Sequence, residues 1–263
     1  TDSESTGVNV LDLFSGIGGF SLGLERAGMH TVAFCEANKY CRLVLRKHWP
    51  AVKCYERVET LSATRLAEDG IGPIDVICGG FPCQDISVAG SGAGLDGDRS
   101  GLWRDFARLI CEIRPQFAIV ENVSALRGRG LDTILGDLAE IRYDAEWHCI
   151  PASHIGAPHQ RDRIWIVAYP FGVELWHKQQ RQSRGQPHGI RDEGKAITRD
   201  NGAPQLVADS HDETADLWRV EPDVGRVADG VPARVDRLKA LGNSLIPQIP
   251  EILGRAILRA KSA

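Results

Sequence analysis

From residue 8 to about 169, short apolar runs alternate with amphipathic stretches. Val8–Phe14 (VNVLDLF) predicts a buried strand, and Phe20–Ala27 predicts a helix that Gly28 ends. Thr31–Cys35 (TVAFC) is the next predicted strand. A helix over Tyr40–His48 follows and is stopped by Trp49-Pro50. Ile74–Cys78 (IDVIC), Phe117–Val120 (FAIV) and Arg163–Ala168 (RIWIVA) read as further strands, with helices over Leu102–Ile113 and Ile134–Ile141. Strands this continuously apolar are buried on both faces, the habit of a parallel sheet with helices on each side. The fold expected is α/β, with a doubly wound, mostly parallel sheet.

After Pro170 the rhythm is lost. Residues 171–230 are polar, rich in Gly, Gln, Arg and Asp, and without periodicity. Regular structure is expected again at Val235–Leu241 and at Ile249–Lys261, the latter as an amphipathic C-terminal helix. This divides the chain into a domain over 1–170, a small irregular region over 171–230, and a segment over 231–263 that returns to the domain.

Composition narrows the classes. The 263 residues are 43% hydrophobic and 25% charged, ordinary for a soluble globular protein and unlike a disordered or collagen-like one. No apolar run approaches the ~20 residues of a membrane span. Thr1–Gly7 (TDSESTG) has neither a basic nor an apolar stretch, and is expected to be a disordered lead-in rather than a signal peptide. The formal charge of −4 does not announce a nucleic-acid partner. Binding through a local basic patch stays open: between Trp176 and Asp200 stand Lys178, Arg181, Arg184, Arg191, Lys195 and Arg199 against Asp192, Glu193 and Asp200. The seven cysteines are odd in number and contain no C-x-x-C pair, so neither a disulfide framework nor a zinc site is expected, and free thiols suit a reducing compartment.

Five short segments carry candidate chemistry. Asp12 to Phe20 (DLFSGIGGF) sits where a strand meets a helix, where glycines let the backbone approach a ligand and helix N–H groups stand open. Glu36 ends the next strand and has the place of a ribose-binding acid. The G-x-G-G spacing disfavours a dinucleotide site, and a tight turn without ligand is the plain alternative. Gly79 to Gln84 (GGFPCQ) places Cys83 on a loop after a strand, where a thiolate can meet a ligand, whereas Cys78 lies inside that strand. Glu121-Asn122-Val123 follows the FAIV strand; Glu121 can face the same crevice as an acid with a raised pKa, or it can serve as a cap. Arg161 and Arg163, two apart in an extended segment, project to one side and can clamp a phosphate or polarise a base carbonyl, or can form surface ion pairs. Leu241 to Ser244 (LGNS) reads as a helix end with Gly242 at the cap.

Taken together and in order, DLFSGIGGF, GGFPCQDIS, ENV, QRDR and GNS resemble the DNA (cytosine-5) methyltransferase family. The stretch 221–243 looks like the short bacterial and phage members. The resemblance implies a Rossmann-like fold dependent on S-adenosylmethionine. Phe14, Gly16, Ile17, Gly18 and Gly19 would hold this cofactor, Glu36 its ribose, and Pro82, Leu102 and Asn243 would line the pocket. It further implies Cys83 as nucleophile, Glu121 as its partner, and Arg161 and Arg163 as contacts to the target base. Residues 85–101 would be the loop that closes over DNA, and 171–230 the target-recognition region. Gln84, Ser87, Arg181, Arg184 and Arg191 would contact DNA. The expected partner is double-stranded DNA, the expected state a cytoplasmic monomer without a metal, and a companion restriction endonuclease fits the picture. An RNA cytosine-5 methyltransferase and an inactive methyltransferase-like DNA-binding module are the competing expectations. One departure stands out: where the family has an acidic residue near the adenine amino group, this chain aligns Arg57, with Glu56 beside it.

Overall fold

A computed structural model of the chain describes residues 7–82, 101–157, 161–172 and 233–261. Among these, seven strands form one sheet in the order β3-β2-β1-β4-β5-β7-β6. The strands are β1 (Asn9–Leu13), β2 (His30–Cys35), β3 (Lys53–Tyr55), β4 (Val76–Gly79), β5 (Phe117–Val123), β6 (Tyr143–Pro151) and β7 (Asp162–Pro170). Helices α1 (Gly19–Arg26), α2 (Lys39–His48), α3 (Ala63–Glu68), α4 (Gly101–Ile113) and α5 (Leu131–Glu140) connect them. Two more, α6 (Arg234–Asn243) and α7 (Gln248–Lys261), follow near the C-terminus. The doubly wound α/β expectation stands.

The sheet is mostly parallel, as expected, with one antiparallel strand inside it. β1 to β5 are parallel, but β7 is antiparallel to both β5 and β6. The middle of β7 is as buried as the parallel strands, with Ile164, Trp165, Ile166 and Ala168 all in the core, so its apolar run did not reveal its direction. One correction concerns β5. It continues three residues past FAIV, so Glu121 and Asn122 are strand residues paired with Trp165 and Ile164 of β7, not the start of a loop.

Local chemistry explains the helix ends that matter. Asn38 caps α2, its Oδ1 accepting from the amides of Tyr40 and Cys41 at 2.8 and 3.2 Å. Gly28 follows α1 at φ +102°, and Trp49 ends α2. Gly242 is not the cap of α6, as its position suggested. The helix runs through Asn243, and Ser244 takes the cap position in extended conformation. Helix α7 packs along α1, and Leu245 lies over Gly19, which brings the chain after Asn243 back to the N-terminus of α1.

Candidate active site at the strand ends

Register places the site. Leu13 pairs with Cys35 and with Gly79, Cys35 pairs with Tyr55, and Gly79 pairs with Val120. The next residues of these strands, Glu56, Glu36, Phe14, Gly80 and Glu121, therefore form one row along the carboxyl edge of the sheet. The strand order reverses between β1 and β4, the switch point where open α/β sheets hold their ligands.

On the β1 side the chain makes a tight turn. Phe14, Gly16 and Gly18 all have left-handed backbones, at φ +52°, +54° and +89°. At Gly18 a side chain is excluded twice, by this φ and by the Trp49 ring, 2.6 Å from where a Cβ would lie. Around Gly16 the space is open. Its amide donates to Glu36 Oε2 at 2.7 Å, while Glu36 Oε1 accepts from the Asn38 amide at 2.6 Å. Ser15 steadies the turn by donating to the Asp12 carbonyl at 2.6 Å. Leu102 is half-buried against the core at the start of α4. Pro82 and Asn243 are exposed.

The β4–β5 side is built differently. Glu121 carries an ion pair to Arg163, Nε to Oε1 at 2.8 Å, with only 13% of its side chain exposed. Antiparallel pairing sets this contact: Glu121 lies opposite Trp165, and Arg163 is the diagonal neighbour on the same face. Gly80 lies against this carboxyl: a Cβ there would come 2.7 Å from Glu121 Oε2 and push on it. Burial pushes the Glu121 carboxyl above the usual range, and the charges of Arg163 and Arg161 pull it partly back. The net direction is upward, toward the protonated acid, with two guanidinium groups beside it. Arg161 is half-buried, and its Nε has no hydrogen-bond partner among the described residues.

Two supporting residues escaped sequence reasoning. Asn122 is buried and donates from Nδ2 to the Phe81 carbonyl at 3.2 Å, so it holds the segment that leads to Cys83. Asp12 is fully buried under the glycine turn and accepts from the Ser21 hydroxyl at 2.7 Å. A polar residue inside an apolar run was the available signal in both cases.

Phe14, Gly16, Ile17, Gly18, Gly19, Glu36 and Glu121 thus gather along one edge, with Arg161 and Arg163 beside Glu121. Cys83, Gln84, Ser87, Arg181, Arg184 and Arg191 lie outside the described residues. Cys78 lies in β4, fully buried, and its thiol is pushed well above the ordinary value, so it offers no thiolate. No group of three His, Cys, Asp or Glu among the described residues could hold a metal ion, and no described helix is long and apolar enough to cross a membrane.

Comparison with known proteins agrees with this geometry. The type II methyltransferase M2.BsuMI of Bacillus subtilis is 34% identical over 172 residues, 62% of this chain and 42% of that protein. M.HhaI of Haemophilus parahaemolyticus is 31% identical over 172 residues, 64% of this chain and 51% of that protein. The chain therefore spans about half the length of these curated relatives. The solved structure of the methyltransferase EhMeth from Entamoeba histolytica matches in fold, with a TM-score of 0.64 over 97% of this chain and 99% of that one, at 14% identity. A sequence profile of C-5 cytosine-specific DNA methylases matches residues 8–215, and the chain belongs to that family.

Proposed function

We propose that the protein transfers a methyl group from S-adenosylmethionine to C5 of cytosine in double-stranded DNA. The observation that carries this is the buried Glu121 carboxyl, flanked by Arg163 at 2.8 Å and next to the glycine pair that leads to Cys83. The residues present fit the cofactor. The open space over Gly16 lies beside a carboxylate at a switch point, and the turn from Phe14 to Gly19 can cradle the cofactor while Glu36 accepts from its ribose hydroxyls. Leu102, Pro82 and Asn243 are proposed to line the same pocket. S-adenosylmethionine, when bound, supplies an electrophilic methyl group to the activated C5.

The protein's residues do the activating. The Cys83 thiolate adds to C6 of cytosine, which makes C5 nucleophilic. Glu121, protonated, gives a hydrogen bond or proton at N3 and offsets the charge that the addition builds there. Arg163 fixes the Glu121 carboxyl, and Arg161 and Arg163 add positive charge beside the developing anion. Loss of the C5 proton after transfer expels Cys83 and restores the aromatic ring. A stacked base hides C6, so the target must leave the duplex, and Gln84 and Ser87 are placed in sequence to meet it. Residues 171–230, with Arg181, Arg184 and Arg191, are proposed to grip DNA phosphates and set the sequence preference as a small recognition region. The protein is proposed to act as a cytoplasmic monomer without a metal, alongside a companion restriction endonuclease.

Transfer of labelled methyl groups tests the proposal, with duplex DNA and tRNA offered side by side. Label at cytosine C5 of DNA is the expected product. Label in tRNA alone, or at adenine or cytosine N4, contradicts it, and no label at all points to a binding module.

A further inference from the structure

Arg42 belongs to none of the motifs above. It sits in the first turn of α2, a helix whose sequence makes it look like one more surface cation, yet it is buried. Its guanidinium turns back past the capping Asn38. Nη1 donates to the carbonyls of Glu36 and Ala37 at 3.0 and 2.6 Å. Nη2 pairs with Glu56 Oε1 at 2.7 Å. Its Nε finds no hydrogen-bond partner among the described residues, so the bonding of this side chain goes to two loops, one after β2 and one after β3. These loops carry neighbouring members of the row at the carboxyl edge, and they also meet directly, the Glu36 amide donating to the Tyr55 carbonyl at 2.9 Å. Arg57, the residue aligned with the family's adenine-side acid, faces solvent and pairs with Glu59 at 3.1 Å.

We infer that Arg42 is a positioning residue for the nucleoside half of the methyl-donor pocket, fixing Glu36 toward the ribose and Glu56 at the neighbouring strand end. A buried guanidinium is suited to this, because its planar fork can serve two carbonyls and a carboxylate at once and stays charged. With Arg42 holding the Glu36 and Ala37 carbonyls from behind, the Glu36 carboxylate is left facing the Gly16 amide. The inference rests on the methyl-donor reading above.

Calorimetric titration of the full chain with S-adenosylhomocysteine, and with its 2′,3′-dideoxy counterpart, tests it. The parent is expected to bind the first ligand and to prefer it strongly to the second. In Arg42→Met the Kd for S-adenosylhomocysteine should rise by about tenfold or more, the scale of a lost charged hydrogen bond, and the preference for the intact ribose should shrink. Arg42→Lys, whose ammonium cannot span all three acceptors, should fall between, and Glu56→Gln should weaken binding by roughly threefold, as for a pair with an exposed partner. A purely structural arginine would lower the melting temperature and leave the ribose preference untouched. That result in either Arg42 variant overturns the inference while the methyl-donor reading survives. A parent that binds no S-adenosylhomocysteine overturns both.

Discussion

Two carboxylates at the ends of neighbouring parts of one sheet have opposite surroundings. Glu36 lies on the parallel side, where backbone amides of Gly16 and Asn38 hold both of its oxygens. Glu121 lies where the sheet turns antiparallel, and a side chain, Arg163, holds it in a buried position. Backbone donors fix the orientation of the Glu36 carboxyl at the turn. Burial favours the protonated acid, which can donate. One fold thus gives two carboxyl groups different surroundings by local packing, and the proposed division of roles between them rests on that difference.

Exchanging each for its amide is the strongest way to break this contrast. Glu121→Gln should cut turnover by about 10²–10⁴-fold, the usual worth of a positioned acid, while S-adenosylhomocysteine binds as before. Glu36→Gln should do the reverse, raising the Kd for that ligand by roughly tenfold with turnover at saturation nearly unchanged. Titration calorimetry and saturating methyl-transfer rates measure both. Equal losses in the two assays for either variant would dissolve the division of roles.

A third carboxyl sharpens the point, since no arginine balances its burial. Asp12 is pushed up to about 7, chiefly by burial, with the Ser21 hydrogen bonds acting against it. Its folded pKa thus lies above the ~3.9 of an unfolded aspartate. Between roughly pH 4 and pH 7 the unfolded chain has released a proton that the folded chain keeps, so this group makes stability fall as pH rises through that window and level off above it. Asp12→Asn should flatten that part of the profile by several degrees, a smaller effect than those above. Melting temperatures recorded from pH 4.5 to 8 check it, and parallel profiles for parent and variant would remove Asp12 as the source.

The sequence carried the strand and helix rhythm and most of the site, because buried strands and glycine turns leave apolar runs and punctuation. What it hid has physical causes. β3 is only Lys53–Tyr55, too short and too polar to make a run. β6 is an edge strand in which Asp144, Trp147 and His148 are exposed and only Tyr143 is buried, so its pattern is weak. The direction of β7 depends on its pairing with β5 and β6, and so does the meeting of Glu121 with Arg163. Arg42 was invisible because its residue type is that of a surface cation, and the acceptors that hold it come from the chain after β2 and after β3.

In the proposed reaction Cys83 attacks the base and the buried Glu121 carboxyl assists. Mixing the protein with S-adenosylmethionine and duplex DNA containing 5-fluorocytosine tests it most directly, because the fluorine cannot leave as a proton does and the adduct persists. The account predicts a covalent protein–DNA complex, retained in Cys78→Ala, lost in Cys83→Ala, and mapped by peptide mass to Cys83. A complex that survives Cys83→Ala, or none from a parent that methylates ordinary DNA at cytosine C5, would contradict it.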